Sequence, residues 1–178
     1  MGSKGHTGCS AAITLLVEHI PTPIGVLIIT HDGARLCNAE FANQKARRAQ
    51  ELAHHFPQAK LVERSKPSQF FVALADYFAG NITAIDTLPV ANLGTPFQQT
   101  TWKALRRVPA GTTRGYGEQA ALLGNPNAAR AIGRTNGLNP ISIVVPCHRL
   151  VGANGSLVHY GGGLERKRWL LDHEAHHS

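Results

Sequence analysis

Apolar and polar positions fall in blocks along the chain, and the blocks predict elements of different kinds in its two halves. In the first half, GVLIIT (25–30) and ARLCNAEF (34–41) flank His31, Asp32 and Gly33. Two apolar runs around a turn of that composition predict a β-hairpin. NQKARRAQELAHHF (43–56) is polar and alanine-rich, with Leu52 and Phe56 one helical turn apart. AKLVERS (59–65) is a short strand candidate. SQFFVALADYFAG (68–80) sets Phe71, Leu74, Ala75 and Phe78 on one helical stripe and closes on Gly80. IDTLPVANLG (85–94) holds Pro89 and Gly94 and reads as an extended domain linker.

The second half is helical punctuation around one apolar run. TPFQQTTWKALRRV (95–108) opens with Thr95 as N-cap and Pro96 in the first turn, a sound helix start. A turn, PAGTT, follows. YGEQAALLG (116–124) and NPNAARAIGRTNG (125–137) are two short helices joined by Gly-Asn-Pro, which fits a helix-turn-helix or an ordinary helical hairpin. The second of the pair carries Arg130 and Arg134. In ISIVVPCHRL (141–150), Ile143, Val144 and Val145 predict a buried strand that Pro146 ends, with Cys147 at its mouth. VGANGSLVHYGGG (151–163) predicts a glycine-rich hairpin and loop. LERKRWLLDHEA (164–175) predicts a last helix, with Leu164, Lys167, Arg168, Leu171 and Glu174 at helical spacing.

Composition narrows the class. With 178 residues and 43% hydrophobic positions, the chain can bury a real core. No apolar run reaches membrane-spanning length, so no membrane association is expected. The opening MGSKGHTGCS lacks the apolar stretch of a signal peptide and reads as a flexible arm. Three cysteines, Cys9, Cys37 and Cys147, argue for a reducing compartment, the cytoplasm, and against a disulfide framework. The net charge of +7 is uneven. Residues 1–93 hold 8 basic and 7 acidic side chains, residues 94–178 hold 10 and 4, so +6 of the excess lies in the second half. That asymmetry fits a polyanionic partner as well as it fits a basic soluble surface.

Cys147 is the candidate for chemistry. A thiol is a weak nucleophile and a thiolate a strong one, so a nucleophilic cysteine needs a base. His148 is adjacent. On a strand it would point away, whereas at a turn after Pro146 the two can converge, directly or through one water. A carboxylate would orient the imidazole, with Glu174 and Asp172 as candidates. Asn139 and Pro140 can pin the turn. A buried, inert thiol is the other reading of any single cysteine.

At this point IVVPCHRLVG resembles the active-site signature of the O6-alkylguanine-DNA alkyltransferases (methylated-DNA–protein-cysteine methyltransferases). The resemblance runs over nearly the whole chain, through TPIGVL (22–27), YFAGN (77–81), GTPFQQTTWKALRRVPAG (94–111), NPNAARAIG (125–133), NGLNPISIVVPCHR (136–149) and GGLERKRWLLDHE (162–174). It is strongest with the bacterial constitutive type. It implies an N-terminal α/β domain with a ribonuclease-H-like sheet (1–91) and a mostly helical C-terminal domain with a winged-helix or helix-turn-helix motif (92–178). The implied activity is irreversible transfer of an alkyl group from O6-alkylguanine, and from O4-alkylthymine, in double-stranded DNA to the protein's own cysteine. The DNA would be bound through its minor groove by a monomer, with the base flipped out of the stack. By the same resemblance Cys147 is the acceptor, His148 its water-mediated base, Glu174 the orienting carboxylate and Asn139 the hinge. Tyr116 would contact the base and Arg130 would fill the gap it leaves. The carbonyls of Cys147 and Leu150 would read the guanine amine, and the Gly161 amide would lie near O6. Arg149 and Pro140 complete the expected DNA and base contacts. No cofactor is needed, because the damaged DNA is the donor. Some members carry a zinc ion in the N-terminal domain. Cys9, Cys37 and His31 do not match that ligand pattern, so no metal is expected.

The chain departs from the family pattern at Gly115-Tyr116, at Thr135 and at Val158-His159-Tyr160, all expected around the alkyl pocket. That clustering suggests a variant with altered alkyl-donor preference, such as a self-labelling protein. Gln119 is also unusual. The competing functions are a non-catalytic lesion-binding protein, which the presence of Cys147 disfavours, a sequence-reading helix-turn-helix regulator, and a thiol hydrolase that turns over.

Overall fold

The computed structural model describes residues 13–178; Cys9 and the predicted arm lie outside them. Strand β1 (Thr14–Ile20) leads into the expected hairpin of β2 (Leu27–His31) and β3 (Leu36–Phe41), and β4 (Lys60–Glu63) completes a four-stranded sheet. Its order is β3-β2-β1-β4, antiparallel except for the parallel β1–β4 pair. β1 was not foreseen. ITLLV is a short continuous apolar run, which periodicity alone does not assign to a strand. Helix α1 (Lys45–His55) packs along β3 and returns the chain to β4.

Helix α2 (Gln69–Phe78) starts at Ser68, whose hydroxyl accepts from the Phe71 amide. Its buried face is Phe70, Leu74 and Tyr77 rather than the predicted stripe, and Phe71 and Phe78 are only half-buried. Leu74 is common to both faces, and Tyr77 satisfies its polar end from the buried one, its hydroxyl reaching Glu174 at 2.7 Å.

Segment 85–94 is more than a tether. Ile85 and Leu88 are buried, and the Leu36 and Ala91 amides bond to the carbonyls of Pro89 and Leu36 at 2.9 and 2.8 Å. A second segment joins the same edge of β3. The Ala39 amide donates to the Pro140 carbonyl, and the Ser142 amide to the Ala39 carbonyl, each at 3.0 Å. The open edge of the sheet is thereby covered, and the residues leading to Cys147 are stitched to it.

The C-terminal half contains α3 (Pro96–Leu105), α4 (Tyr116–Leu122), α5 (Ala129–Gly137) and α6 (Leu164–His177). Thr95 and Gln98 form a reciprocal capping box on α3, with Pro96 in the first turn. The tight connection of α4 to α5 runs through Gly124, in the left-handed region at φ 79°, and a 3₁₀ turn at Pro126–Ala128. Two-residue strands β5 (Arg114–Gly115) and β6 (Leu150–Val151) pair in parallel.

Two expectations are corrected. Residues 143–145 are buried as predicted but form no strand. The Val144 amide bonds back to the Ser142 carbonyl at 2.9 Å around Ile143, whose φ is 74°. That is a γ-turn of the rare, strained hand. Pro146, at φ −80° and ψ 65°, centres a second γ-turn of the relaxed hand, with Cys147 N donating to Val145 O at 2.8 Å. Residues 152–163 are loop rather than hairpin, and only Leu150–Val151 is extended and paired. In α6 the buried positions are Lys167, Leu170 and Glu174, while Leu164 is exposed. No helix among the described residues is long and apolar enough to cross a membrane.

Candidate active site

Asn139 explains why a β-branched run turns instead of extending. Its Oδ1 accepts from the Ile141 amide at 3.0 Å and its Nδ2 donates to the Val145 carbonyl at 2.8 Å. A side chain thus takes the place of a neighbouring strand for backbone groups that are buried. The same Nδ2 lies 3.1 Å from Cys147 Sγ. Cys147 opens a 3₁₀ turn with His148 and Arg149, and it is only 4% exposed. Burial pushes its thiol above the ordinary value; the Asn139 bond and the nearby charges of Arg47 and Lys167 act in the opposite direction.

Behind the thiol lies a closed ionic group. His148 Nε2 donates to Glu174 Oε1 at 2.8 Å. Arg149 forks onto the same carboxylate through Nε (2.9 Å) and Nη2 (2.8 Å), and its Nη1 donates to the Val108 carbonyl at 2.6 Å. Tyr77 Oη and the Gly111 amide complete the shell of Glu174. Burial disfavours charge on Glu174. The His148 and Arg149 contacts outweigh that and hold its carboxyl well below the usual range. Burial pushes the His148 imidazole down, against the pull of Glu174, so it is a neutral base. With Nε2 committed, His148 Nδ1 is the accepting nitrogen, and it is buried with no partner. No hydrogen bond joins it directly to Cys147. Of the two candidate acids, Glu174 takes the role and Asp172 is exposed.

The expected site residues divide into three groups. Tyr116, Arg130, Val158 and His159 line a cleft of about 600 Å³ with Arg134, and the neighbouring part of the cleft adds Asn136, Tyr160 and Gly161. Asn136 donates from Nδ2 to the Cys147 carbonyl at 3.1 Å and to Tyr116 Oη at 3.4 Å, which ties the cleft to the nucleophile. Leu150 lies beneath, its carbonyl accepting from Lys167 Nζ at 2.6 Å.

The remaining four lie elsewhere. Arg149 is buried in the Glu174 pair and does not reach a DNA surface. Pro140 is buried with its carbonyl committed to β3. Thr135 faces inward, its carbonyl accepting from Trp102 Nε1 at 3.1 Å. Gly115 is the N-cap of α4, where its amide donates to Glu118 at 2.7 Å. It borders a separate depression with Thr113 and Gly152. Gln119, unusual in sequence, is fully buried and accepts from Arg114 Nη1 at 2.9 Å.

Sequence reasoning missed Asn136 and Lys167. Lys167 Nζ also donates to the Val158 carbonyl at 2.7 Å, so one buried ammonium joins the 150 and 158 backbones. A lysine on the inward stripe of α6 was the available signal. Cys37 and His31 do not fit a metal centre. The Cys37 thiol is raised to about 11 by burial, and both ring nitrogens of His31 are engaged, with Glu18 and the Gly33 amide. Among the described residues no cluster of three or more such side chains forms.

Known proteins place this arrangement. The family profile described as 6-O-methylguanine DNA methyltransferase, ribonuclease-like domain, matches residues 15–92. The profile of the DNA binding domain of the same family matches residues 96–176. A methylated-DNA–protein-cysteine methyltransferase of Salmonella typhimurium is 48% identical over 167 residues, covering 92% of this chain and 98% of the relative. One of Mycobacterium tuberculosis is 44% identical over 158 residues, covering 87% and 89%. The crystal structure of M. tuberculosis O6-methylguanine methyltransferase superposes with a TM-score of 0.75 at 38% identity, covering 92% of this chain and 94% of that one. The M. tuberculosis OGT solved in complex with DNA gives 0.71 at 35%, covering 93% and 95%. Two domains, both matched, and a Pro-Cys-His-Arg turn backed by a buried carboxylate make this chain a member of the 6-O-methylguanine DNA methyltransferase family.

Proposed function

We propose that this chain repairs DNA by moving the alkyl group of O6-alkylguanine, and of O4-alkylthymine, onto Cys147, once per molecule. DNA is the partner, through the helix-turn-helix domain. The finer reading is a monomer, in the cytoplasm, that binds the minor groove of a damaged duplex. Arg130 fills the space of the flipped nucleotide, and Tyr116, at the cleft wall, contacts the base. The carrying observation is the Glu174–His148 pair behind Cys147, with Nδ1 of the imidazole left as an acceptor.

The proton balance follows from that pair. The Cys147 proton passes to His148 Nδ1, directly or through one water, while Glu174 stabilises the imidazolium. The thiolate attacks the alkyl carbon. An S–C bond forms and the C–O6 bond breaks, leaving the electron pair on the guanine. The guanine then takes up one proton, and His148 returns to neutral. The thioether has no acidic proton and is a poor leaving group, so the protein is spent. Asn139 positions the sulfur. The Leu150 carbonyl accepts from Lys167 Nζ and can take the guanine amine on its other lone pair, whereas the Cys147 carbonyl accepts from both Asn136 Nδ2 and the Leu150 amide and must release one of them to take part.

The test is intact-protein mass spectrometry with peptide mapping after incubation with duplex DNA bearing O6-methylguanine. One methyl group on Cys147, saturating at one per molecule, is the expected result. Turnover beyond one equivalent would identify a hydrolase, and no gain would leave a lesion-binding protein. A gain only from free O6-benzylguanine would indicate a retuned variant.

A further inference from the structure

The two walls of the cleft are gripped from the N-terminal domain. Arg47, on α1, donates from Nη2 to the Gly137 carbonyl at 3.0 Å and to the Asn139 carbonyl at 2.9 Å. Its Nε lies 3.3 Å from Glu40 Oε1, on β3. Glu40 is 2% exposed and its Oε1 accepts no hydrogen bond, so it holds the guanidinium from inside the sheet domain by charge alone. On the opposite wall, Gln44 donates from Nε2 to the Gly161 carbonyl at 2.6 Å. Arg47 itself reaches this wall, because a Cβ on Gly161 would collide with its Nη1. Arg166 adds a parallel tie, with Nη1 on the Gly162 carbonyl (2.9 Å) and on Asn43 Oδ1 (3.2 Å), and Nε on the Ile24 carbonyl (2.8 Å).

We propose that Arg47, anchored by Glu40 and seconded by Gln44, is a positioning residue that fixes the separation of the Gly137–Asn139 and Val158–Gly161 walls, and so sets the rate of transfer and the size of alkyl group accepted. The proposal rests on the alkyl-transfer reading above. The path from Arg47 to the sulfur is short. Arg47 holds the backbone of Asn139, and the side chain of Asn139 holds Cys147 Sγ and the Val145 carbonyl. Gly137 ends α5, where a cation also suits the helix dipole. Only a planar fork serves two carbonyls and a carboxylate at once, so lysine is no substitute. Arg47 lies at the edge of the fold with its side chain 24% exposed, and its removal opens no core cavity.

The experiment compares the unaltered chain with Arg47→Ala, Arg47→Lys, Gln44→Ala and Gly161→Ser. Each is titrated for active fraction. Each is then followed at single turnover with a methylguanine duplex and with free O6-benzylguanine. A displacement of about 1 Å near a reacting group costs up to about 100-fold, so Arg47→Ala should slow methyl transfer by about 10- to 100-fold per active molecule. Active fraction and duplex affinity should stay within about twofold, since Arg47 lies on α1 and not in the α4–α5 helix-turn-helix proposed to hold the duplex. The benzyl-to-methyl ratio should rise. Arg47→Lys should follow Arg47→Ala, and Gln44→Ala should move the ratio the same way by less. Gly161→Ser displaces the guanidinium, so combining it with Arg47→Ala should add less than the sum of the single effects.

Unchanged rate constants and ratio in Arg47→Ala would overturn the proposal, as would a loss confined to active fraction. Cys147 labelling by iodoacetamide, read by peptide mapping, separates this from the parent reading. If the unaltered chain took no alkyl group from the lesion, that reading would fall. A severalfold change in Cys147 labelling on Arg47→Ala would then still support the clamp, and equal labelling would sink it.

Discussion

The side-chain amide of Asn139 is bound at the same nitrogen to Cys147 Sγ (3.1 Å) and to the Val145 carbonyl (2.8 Å). One residue therefore both shapes the turn and places the nucleophile. Asn139→Ala leaves the Ile141 amide buried without a partner and strips the Val145 carbonyl of one of its two bonds, the one from the Cys147 amide remaining. An orphaned buried group costs about 1–3 kcal/mol and a lost hydrogen bond about 0.5–1.5 kcal/mol, so a total loss of about 2–4 kcal/mol is expected in urea unfolding. Asn139→Asp keeps the acceptor for Ile141 and loses both donated bonds. It should retain more stability than alanine while losing transfer, because a carboxylate beside the sulfur opposes the thiolate. A loss under about 1 kcal/mol for Asn139→Ala would mean that the turn stands without this residue.

The second prediction concerns pH. Transfer requires neutral His148, whose folded value burial pushes below the ordinary one near 6.5. The acid limb of the single-turnover rate should therefore have its midpoint below 6.5, with the rate flat through neutrality. In stability the sign is that of a depressed group. The contribution of neutral His148 is complete above the unfolded value and is lost as pH falls through the folded one. Glu174→Gln keeps an acceptor but removes the charge that balances imidazolium and Arg149, so the limb should move to still lower pH. A midpoint at or above 6.5 in the unaltered chain would contradict burial as the dominant influence on His148.

How much of this was legible in the sequence depends on where backbone partners came from. The capped helix at Thr95 and the hairpin around Asp32 carry their own signals, and both formed as expected. The 143–145 run carried a signal for burial, and burial is what it has. Its conformation is decided by the side chain of Asn139 and the edge of β3, one four residues away and the other about a hundred, and no local pattern reports either. The same holds at the site. Cys147, His148 and Glu174 were readable as chemistry. The family resemblance implies a DNA contact for Arg149, but its fork matches Glu174, which α6 brings in from 25 residues further along. Arg47 and Gln44 carried no sequence signal at all, since their partners are backbone carbonyls about ninety or more residues away.

The third prediction separates the unusual residues by position. Val158 and His159 line the cleft, and Gly115 and Thr135 do not. Val158→Thr with His159→Gly should change the ratio of benzyl to methyl transfer, and Gly115→Ser should leave it unchanged. Gly115 already has the extended backbone of an N-cap, at φ −71° and ψ 148°. A serine there gains a cap and loses unfolded-state freedom, worth about 0.5–1 kcal/mol in thermal or urea unfolding. A shift in donor ratio on Gly115→Ser, without one on the Val158 and His159 pair, would reverse the assignment.

The last prediction uses Glu40, the anchor of Arg47. Burial raises its carboxyl to about 7, with the Arg47 charge only partly opposing. The folded value lies above the unfolded one, near 4.5. Such a group favours the fold fully below the unfolded value, and that advantage is lost as pH rises through 7. A shift of this size corresponds to about 3 kcal/mol across the window. Glu40→Gln cannot ionise, and it keeps an oxygen for Arg47. The stability of the variant relative to the unaltered chain should therefore rise between pH 5 and pH 8, by about 2 kcal/mol after allowing for relaxation around the charge. Urea unfolding at matched ionic strength and four pH values measures it. A difference that stays constant with pH would mean that Glu40 ionises normally, and the Arg47 pair would then be strong enough to cancel the burial of the carboxylate. A difference that grows would identify Glu40 as a buried acid kept at some cost to stability, in the position that anchors Arg47 against the two walls of the cleft.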